Sequence, residues 1–282
     1  MTTKGTKEWA DSNVNCYYGC SNNCRYCYAK TMALRFKRIE SEEEWKVMRP
    51  NIKAINKGYG KRKGRIMFPT SHDITEESFY YSEQVLEKLL KAGNEVLLTT
   101  KPKMKFLWGI LGTCRKFKDQ VQLRATITSI DNELLTKYEP NAPNYWARVR
   151  VLKKFYLSGL KTSVSIEPFL DDNPLPLIRE LAPYCTESIW LGVMSGCVPT
   201  ELKRIYRAHN LKRIIYHLTD FPREIIEKVR FKDSIVNKVG LTSNKLLDSY
   251  TYKSMRTASD IKNCEHRLGK NQCEDEGKNG HN

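Results

Sequence analysis

The chain has 282 residues and a formal net charge of +16, from 48 Lys and Arg against 32 Asp and Glu. This length can bury one large α/β core or two smaller ones. No apolar run approaches the roughly 20 residues of a membrane-spanning helix, so no helical membrane protein is expected. The charge favours a polyanionic partner, and nucleic acid is the usual one.

Cysteine usage and the N-terminal sequence predict the compartment. The chain opens with polar residues and lacks the charged-then-apolar pattern of a secretory signal. Nine cysteines are an odd number, in a chain too long to need disulfides for stability. We therefore expect a cytoplasmic protein with reduced thiols.

Short apolar runs alternate with amphipathic stretches, the pattern of a parallel sheet wrapped by helices. Apolar residues at helical spacing predict helices over residues 82–91 and 148–158, and another that begins at Pro174. Six strands are predicted, over residues 13–18, 65–69, 95–100, 121–128, 162–167 and 188–193. Six βα units predict a TIM-like α/β barrel that is incomplete relative to the eight units of a closed one.

The pattern changes near residue 200. Residues 201–209 and 223–231 have helical spacing, and the sequence turns polar from Leu241. These features predict three segments: a barrel core over residues 1–200, a helical extension packed on it over 201–240, and a frayed tail over 241–282. Two Cys and two His in the tail do not match a zinc finger or ribbon, so no second metal site is expected there; they are Cys264, His266, Cys273 and His281.

Three cysteines in residues 19–29 carry the clearest chemical signal. Cys20, Cys24 and Cys27 have the spacing C-x3-C-x2-C, and Tyr26 directly precedes the third. Three thiolates on a short loop can each bind one iron of a 4Fe–4S cluster and leave the fourth iron without a protein ligand. An open iron indicates that another molecule binds there.

Two other uses of these cysteines compete with the cluster. Cys16 could join Cys20, Cys24 and Cys27 in a four-sulfur zinc site, but that set lacks the separated second pair of structural zinc sites. Disulfides conflict with the expected reducing compartment. The 4Fe–4S cluster is therefore preferred, with Cys16 outside it.

The motif resembles the hallmark C-x3-C-x-aromatic-C of the radical S-adenosylmethionine (radical SAM) superfamily. The wider run from Asn15 to Ala29 resembles, more narrowly, the spore photoproduct lyase or DNA repair photolyase-like branch, and the resemblance covers roughly residues 13–195. It implies a partial (β/α)6 TIM-like barrel of the radical SAM type with a helical C-terminal extension. Further matches follow in chain order: Thr70-Ser71 with Asp73, Thr100-Lys101, Thr126-Ile127-Thr128, Glu139-Pro140-Asn141-Ala142-Pro143 and Arg148.

The resemblance also implies a reaction. Cys20, Cys24 and Cys27 would hold the 4Fe–4S cluster, and S-adenosylmethionine would chelate its open iron. One electron, from a reductant such as flavodoxin or ferredoxin, would cleave S-adenosylmethionine to methionine and a 5′-deoxyadenosyl radical that abstracts hydrogen from a substrate. The protein would supply positioning and exclusion of water and oxygen.

Five residues are predicted to contact S-adenosylmethionine by this resemblance. Tyr26 would lie near the adenine, while Ser71, Lys101 and Thr126 would contact the methionyl group, where an ammonium can pair with a carboxylate. Glu167 is a candidate for the ribose hydroxyls or for an ion pair with Arg148. A core tyrosine, a helix-capping serine and a solvated lysine remain open alternatives for Tyr26, Ser71 and Lys101.

The sequence departs from spore photoproduct lyases at Pro69, where they have a cysteine that returns hydrogen to the product radical. Of the other cysteines, Cys197 is the candidate hydrogen donor, and Cys114 and Cys185 are expected to be buried apolar residues. The enzyme is expected to act on nucleic acid; the alternatives are a radical SAM enzyme acting on a peptide or small molecule, and a non-enzymatic iron–sulfur or zinc module that binds nucleic acid. The basic loop at residues 57–65 is predicted at the barrel end opposite the cluster.

Overall fold

The computed structural model describes residues 5–196 and 198–248. Within them, seven parallel strands form a curled half-barrel in the order β1-β4-β5-β6-β7-β8-β9, and β2 and β3 form a small antiparallel pair. The strands are β1 (Ser12–Asn13), β2 (Tyr17–Tyr18), β3 (Arg49–Pro50), β4 (Arg65–Phe68), β5 (Glu95–Thr100), β6 (Val121–Thr126), β7 (Lys161–Ile166), β8 (Ile189–Leu191) and β9 (Val229–Phe231).

Helices connect the strands and cover the convex side of the sheet. They are α1 (Tyr28–Arg35), α2 (Glu42–Lys46), α3 (Ile52–Asn56), α4 (Phe79–Lys91), α5 (Met104–Lys116), α6 (Asn132–Tyr138), α7 (Tyr145–Leu157), α8 (Leu175–Leu181), α9 (Thr200–Ile205), α10 (Ala208–Leu218), α11 (Arg223–Ile226) and α12 (Asp233–Val239). Short 3₁₀ helices lie at Gly5–Glu8 and Ala182–Tyr184. This is the partial TIM-like α/β barrel expected from the sequence.

Alternation along the strands divides the residues between two environments. Ile66 and Phe68 of β4 join Leu86 and Leu89 of α4 in a core between the sheet and the helices. Met67, between them, instead belongs to a small cluster on the concave side. Because successive side chains of a strand point to opposite faces, each strand contributes both to the core and to the barrel interior.

The number of strands differs from the prediction, and so does the helix predicted over residues 223–231. The predicted first strand is divided into β1 and β2, and a seventh strand, β9, lies in a stretch predicted to be helical. Val229 and Phe231 are buried on either side of the half-buried Arg230, which is a strand alternation, and β9 pairs with β8 in parallel. The helix predicted there is limited to α11.

Residues 5–10 cross the concave side of the sheet, which the sequence did not predict. Trp9 packs with Met67, Leu97 and Trp190, and its ring meets that of Trp190 edge-on at 5.8 Å between centroids. This packing buries a large aromatic side chain inside the half-barrel.

The division into three segments stays a prediction. Of the third segment, residues 241–248 are described. Leu241 and Leu246 are buried in a hydrophobic core together with residues of β7, β8 and β9. Lys245 forms an isolated bridge with Arg230. Residues 249–282, with the Cys and His residues noted above, lie outside the described residues. No helix within the described ranges is long and apolar enough to cross a membrane.

Candidate functional site

The carboxyl ends of the central strands and the cysteine loop surround a cavity of about 280 Å³. In parallel α/β barrels, functional groups collect at this end of the strands. The structure brings eight predicted site residues to this cavity: Cys20, Cys24, Tyr26, Cys27, Ser71, Lys101, Thr126 and Glu167. Cys197, the predicted hydrogen donor, lies outside the described residues.

The cysteine loop is folded by two tight turns. The amide of Asn23 donates to the carbonyl of Cys20, and the amide of Cys27 donates to that of Cys24, both at 3.2 Å. Cys27 is the N-cap of α1, where its Sγ accepts from the amide of Lys30 at 3.4 Å. The turns direct the loop's three thiols towards the cavity.

Gly19 lets the loop approach α2 closely. Its φ of +79° lies in the left-handed region, and a Cβ there would come within 2.5 Å of the carbonyl oxygen of Val47. The amide of Cys20 donates to the carbonyl of Trp45 at 2.8 Å. The first cysteine is thus anchored to a neighbouring element as well as to its own loop.

The thiol donors fit a 4Fe–4S cluster better than a single metal ion. Within the described part of the chain, no three His, Cys, Asp or Glu residues are grouped to hold one ion. Cys16 is buried elsewhere, with its Sγ 3.7 Å from Nε2 of His72 and 3.6 Å from Oγ of Ser82. The four-sulfur zinc site is therefore not formed, whereas three thiols lining one cavity match a cluster with one open iron.

Burial disfavours the thiolate forms of Cys20 and Cys24 when no metal is bound. It raises the pKa of Cys20, and it raises the pKa of Cys24 to about 12 even though Lys101 opposes the shift. Binding iron requires thiolates, so loading the site releases protons.

Asp73 connects the cysteine loop to the end of β5. Its carboxylate accepts from Nδ2 of Asn22 at 3.0 Å, from the amide of Lys101 at 3.0 Å, from the amide of Ile74 at 2.7 Å and from the hydroxyl of Thr100. One buried carboxylate thereby fixes three segments of the site. The sequence placed Asp73 near the site but did not predict this role.

Asn15 fixes the backbone that carries Ser71. Its Oδ1 accepts from the amides of Thr70 and Ser71 at 2.7 and 2.9 Å, and its Nδ2 donates to Oγ1 of Thr70 at 2.8 Å. Ser71, two residues after Pro69, lines the cavity. Ser71 therefore does not cap a helix, and the predicted cofactor contact remains open to it.

Tyr26 is tied to a buried ion pair. Its hydroxyl donates to Oε1 of Glu139, which also accepts from Oγ1 of Thr128 at 2.8 Å, and Arg148 donates to Oε2. Burial and Glu139 raise the pKa of Tyr26, so its hydroxyl stays protonated. Burial raises the pKa of Glu139, but Arg148 and Lys101 outweigh it and hold that pKa below its usual range. The network keeps the ring of Tyr26 against the cavity.

Lys101 brings a positive charge to the cavity. Its Nζ lies 5.7 Å from the ring centroid of Tyr26. Burial lowers its pKa, but Cys24, Glu139 and Asp73 outweigh burial and raise it. Lys101 is therefore a half-buried ammonium that lines the cavity.

Glu167 lies on the opposite side of the cavity. Its Oε2 is 4.0 Å from Nζ of Lys232, and Arg148 pairs with Glu139 instead. The ion pair between Glu167 and Arg148 is therefore not formed. Burial raises the pKa of Glu167 to about 7, although Lys232 opposes the shift. The sequence did not predict Lys232 as a site residue, because it follows β9, which lies in a stretch predicted to be helical.

The basic loop at residues 57–65 lies where the sequence placed it. The amide of Arg62 donates to Oδ1 of Asn94, just before β5, and its guanidinium reaches Oγ of Ser12 at the start of β1. These contacts are at the amino ends of the strands. The loop is therefore remote from the cysteines.

Comparison with known proteins gives two uncharacterized relatives. The chain is 32% identical over 176 residues to protein ORF301 of Acidianus two-tailed virus, covering 58% of this chain and 57% of that protein. It is 25% identical over 237 residues to protein MJ0683 of Methanocaldococcus jannaschii, covering 80% and 88%. The chain thus spans little more than half of its viral relative. No protein-family model matches.

Among solved structures, the fold is similar to that of Streptococcus suis SuiB bound to S-adenosylmethionine, with a TM-score of 0.52 at 11% identity. The match covers 78% of this chain and 46% of SuiB. A spore photoproduct lyase complexed with dinucleoside spore photoproduct aligns at a TM-score of 0.48 and 15% identity, over 68% and 58% of the two chains, a likeness too low to carry weight.

The fold is therefore similar to that of SuiB, a half-barrel of parallel strands with surrounding helices. In this chain, the C-x3-C-x2-C motif stands on a loop at the carboxyl end of that half-barrel.

Proposed function

We propose that this protein is a radical SAM enzyme. The observation that carries the proposal is that the three thiols of the cysteine loop line the same cavity as the polar residues at the ends of β4 to β7. An iron–sulfur protein that only binds another macromolecule has no need for a cavity beside its cluster ligands. This cavity supports a reaction on a bound molecule.

When bound, a 4Fe–4S cluster and S-adenosylmethionine supply the 5′-deoxyadenosyl radical that abstracts a hydrogen atom from the substrate. The residues of the chain hold the reactants. Lys101 would pair with the carboxylate of the methionyl group, and Ser71 and Thr126 would offer hydroxyls to the amino group of the same methionyl. Tyr26, held by Glu139, would border the adenine. The walls of the cavity would limit access of water and oxygen.

The reaction is proposed to differ from that of spore photoproduct lyases. Pro69 lines the cavity at the place of their cysteine, and it has no thiol to return hydrogen. Cys114 and Cys185 are buried between the sheet and the helices. A repair activity that depends on a thiol at the end of β4 is therefore not proposed, and Cys197 remains the candidate donor.

The test is anaerobic reconstitution with iron and sulfide, followed by reduction in the presence of S-adenosylmethionine. We expect 5′-deoxyadenosine from the wild-type protein and none from Cys24→Ala. Cys114→Ala is the matched control and should retain the activity, because Cys114 lies away from the cavity. Iron uptake by the wild type without any 5′-deoxyadenosine would favour the non-enzymatic iron–sulfur module and overturn the proposal.

A nucleic-acid substrate is a second candidate, supported by the net charge of +16. Binding through phosphates releases counterions, so affinity for DNA or RNA should fall steeply as salt increases. Affinity that is independent of salt would remove this candidate in favour of a peptide or small molecule. A flavodoxin or ferredoxin is the proposed source of the electron.

A further inference from the structure

The side of the cavity away from the cysteine loop has three residues in contact, which we call the β7–β9 wall: Glu167, Gly192 and Lys232. They follow three adjacent strands, β7, β8 and β9. A Cβ on Gly192 would lie 2.8 Å from Cγ of Glu167 and 2.8 Å from Cγ of Lys232. Only a glycine at position 192 leaves room for the side chains of both Glu167 and Lys232.

The charge of Lys232 is already balanced. Its Nζ lies 2.7 Å from Oε1 of Glu8 and donates to the carbonyl of Gly5 at 2.9 Å. The same ammonium is 4.2 Å from the ring centroid of Trp9. Its distance of 4.0 Å from Glu167 is beyond a hydrogen bond. Lys232 and Glu8 therefore form a neutral buried pair beside Glu167.

The nearby guanidinium of Arg124 is also engaged elsewhere. It lies over the ring of Trp9, 4.6 Å from the centroid, and bonds Oγ of Ser163 and of Ser188 at 3.2 and 3.4 Å. Ser163 and Ser188 lie below the carboxyl ends of the strands. Arg124 thus supports the floor of the half-barrel and does not bond Glu167.

The carboxyl group of Glu167 faces the cavity without a hydrogen-bond donor from residues 5–196 or 198–248. Its side chain is 26% exposed, and it lines the cavity. A carboxylate that is partly removed from water and has no donor is unfavourable, which agrees with the raised pKa of this group. A ligand that brings a donor would satisfy it.

Residues 5–8 limit what can reach this wall from the side. They contact Lys232, and Oε2 of Glu8 accepts from the amide of Asp233 at 3.2 Å, immediately after the edge strand β9. The same segment leads into β1, the other edge strand. It therefore spans the open side of the half-barrel, which favours a slender substrate group over a wide polymer.

We propose that Glu167 binds a protonated primary amine of the substrate. This assignment rests on the proposed function and adds a substrate class to it. An ammonium group offers three hydrogen-bond donors in a small volume. It would give the carboxylate of Glu167 both hydrogen bonds and a directly bonded positive charge. The substrate is accordingly an aliphatic amine, or a peptide bearing a lysine-like side chain, whose ammonium group lies against the β7–β9 wall.

The test measures binding of n-butylamine and butan-1-ol to the full-length protein by ligand-observed NMR at about pH 8, where the amine is charged. We expect the amine to bind roughly tenfold more tightly than the alcohol. Glu167→Gln, which keeps the shape of the side chain, should remove that preference and leave alcohol binding unchanged. Glu133→Gln on the exposed surface makes the same change of net charge and should preserve the preference.

Equal affinities of the wild type for both probes, or a preference that persists in Glu167→Gln, would overturn the assignment. Tenfold weaker binding of S-adenosylmethionine to Glu167→Gln, with no amine preference in the wild type, would instead assign Glu167 to the ribose. None of these measurements requires cleavage of S-adenosylmethionine. Failure of the amine site is therefore distinguishable from failure of the radical SAM function.

Discussion

Arg148 donates to Glu139 inside the protein, and neither side chain of this ion pair is exposed. Arg148 also donates to the carbonyl of Pro143 at 2.7 Å, so the start of α7 and the loop before it are held together. Through the hydroxyl of Tyr26, the same pair supports the cysteine loop. An interaction between two outer elements of the barrel thereby helps to position the cysteine loop.

Removing one partner of this pair should destabilise the fold strongly. Arg148→Met leaves Glu139 buried without its counter-ion, which costs about 3–5 kcal/mol of unfolding free energy. Arg150→Met, on the exposed side of the same helix, should change stability by less than about 0.5 kcal/mol. Chemical denaturation of both variants checks this. Similar unfolding midpoints for the two variants would show that the buried ion pair stabilises the fold no more than an exposed arginine does.

Asp73 should act on the site through the residues that it positions. Asp73→Asn weakens the acceptor for Asn22, Thr100 and the amide of Lys101, so the affinity for S-adenosylmethionine should fall by about 10–100-fold. Thr100→Val removes one of these bonds and should have a smaller effect. Equilibrium binding to the reconstituted variants measures both. An Asp73→Asn variant with wild-type affinity would show that the network does not position the cofactor.

Two glycines should respond to alanine in opposite directions. Gly192→Ala places a Cβ against Glu167 and Lys232, and such overpacking costs about 1–3 kcal/mol. Gly112→Ala lies inside α5, where a Cβ would meet nothing within 4 Å, so the substitution should stabilise the protein by about 0.5–1 kcal/mol. Thermal and denaturant unfolding of the two variants measure both changes in stability. Equal changes would contradict the crowding at Gly192.

Much of the fold was predictable because its signals are local. The strands β4 to β8 are apolar runs that follow glycines or helices, and the motif of Cys20, Cys24 and Cys27 is contiguous. The seventh strand was missed because β9 closely follows α11, and its alternation does not stand out from the helical spacing before it. Its position depends on pairing with β8, which is a tertiary effect.

The partners of the site residues were harder to predict for the same reason. The sequence placed Glu167 and Lys101 at strand ends. It did not show that Arg148 pairs with Glu139, or that Glu8 of the N-terminal segment pairs with Lys232. Such ion pairs form only where the fold brings distant parts of the chain together in the interior. The burial of Trp9 among Met67 and Leu97 is a further example, since the sequence around it is polar except for Ala10.

The pH dependence of stability should report on Glu167. Its pKa is about 7 in the folded protein, because burial outweighs the opposing effect of Lys232, against an ordinary value of 4.5. The folded state therefore favours the protonated form, and stability present below about pH 4.5 is lost as the pH rises through 7. Glu167→Gln cannot ionise, so at about pH 8 it should be more stable than wild type by on the order of 3 kcal/mol. At about pH 4 the difference should vanish. Denaturant unfolding at both pH values measures it, with Glu133→Gln as the surface control, and a stability difference that does not change with pH would contradict an uncompensated carboxylate in the β7–β9 wall.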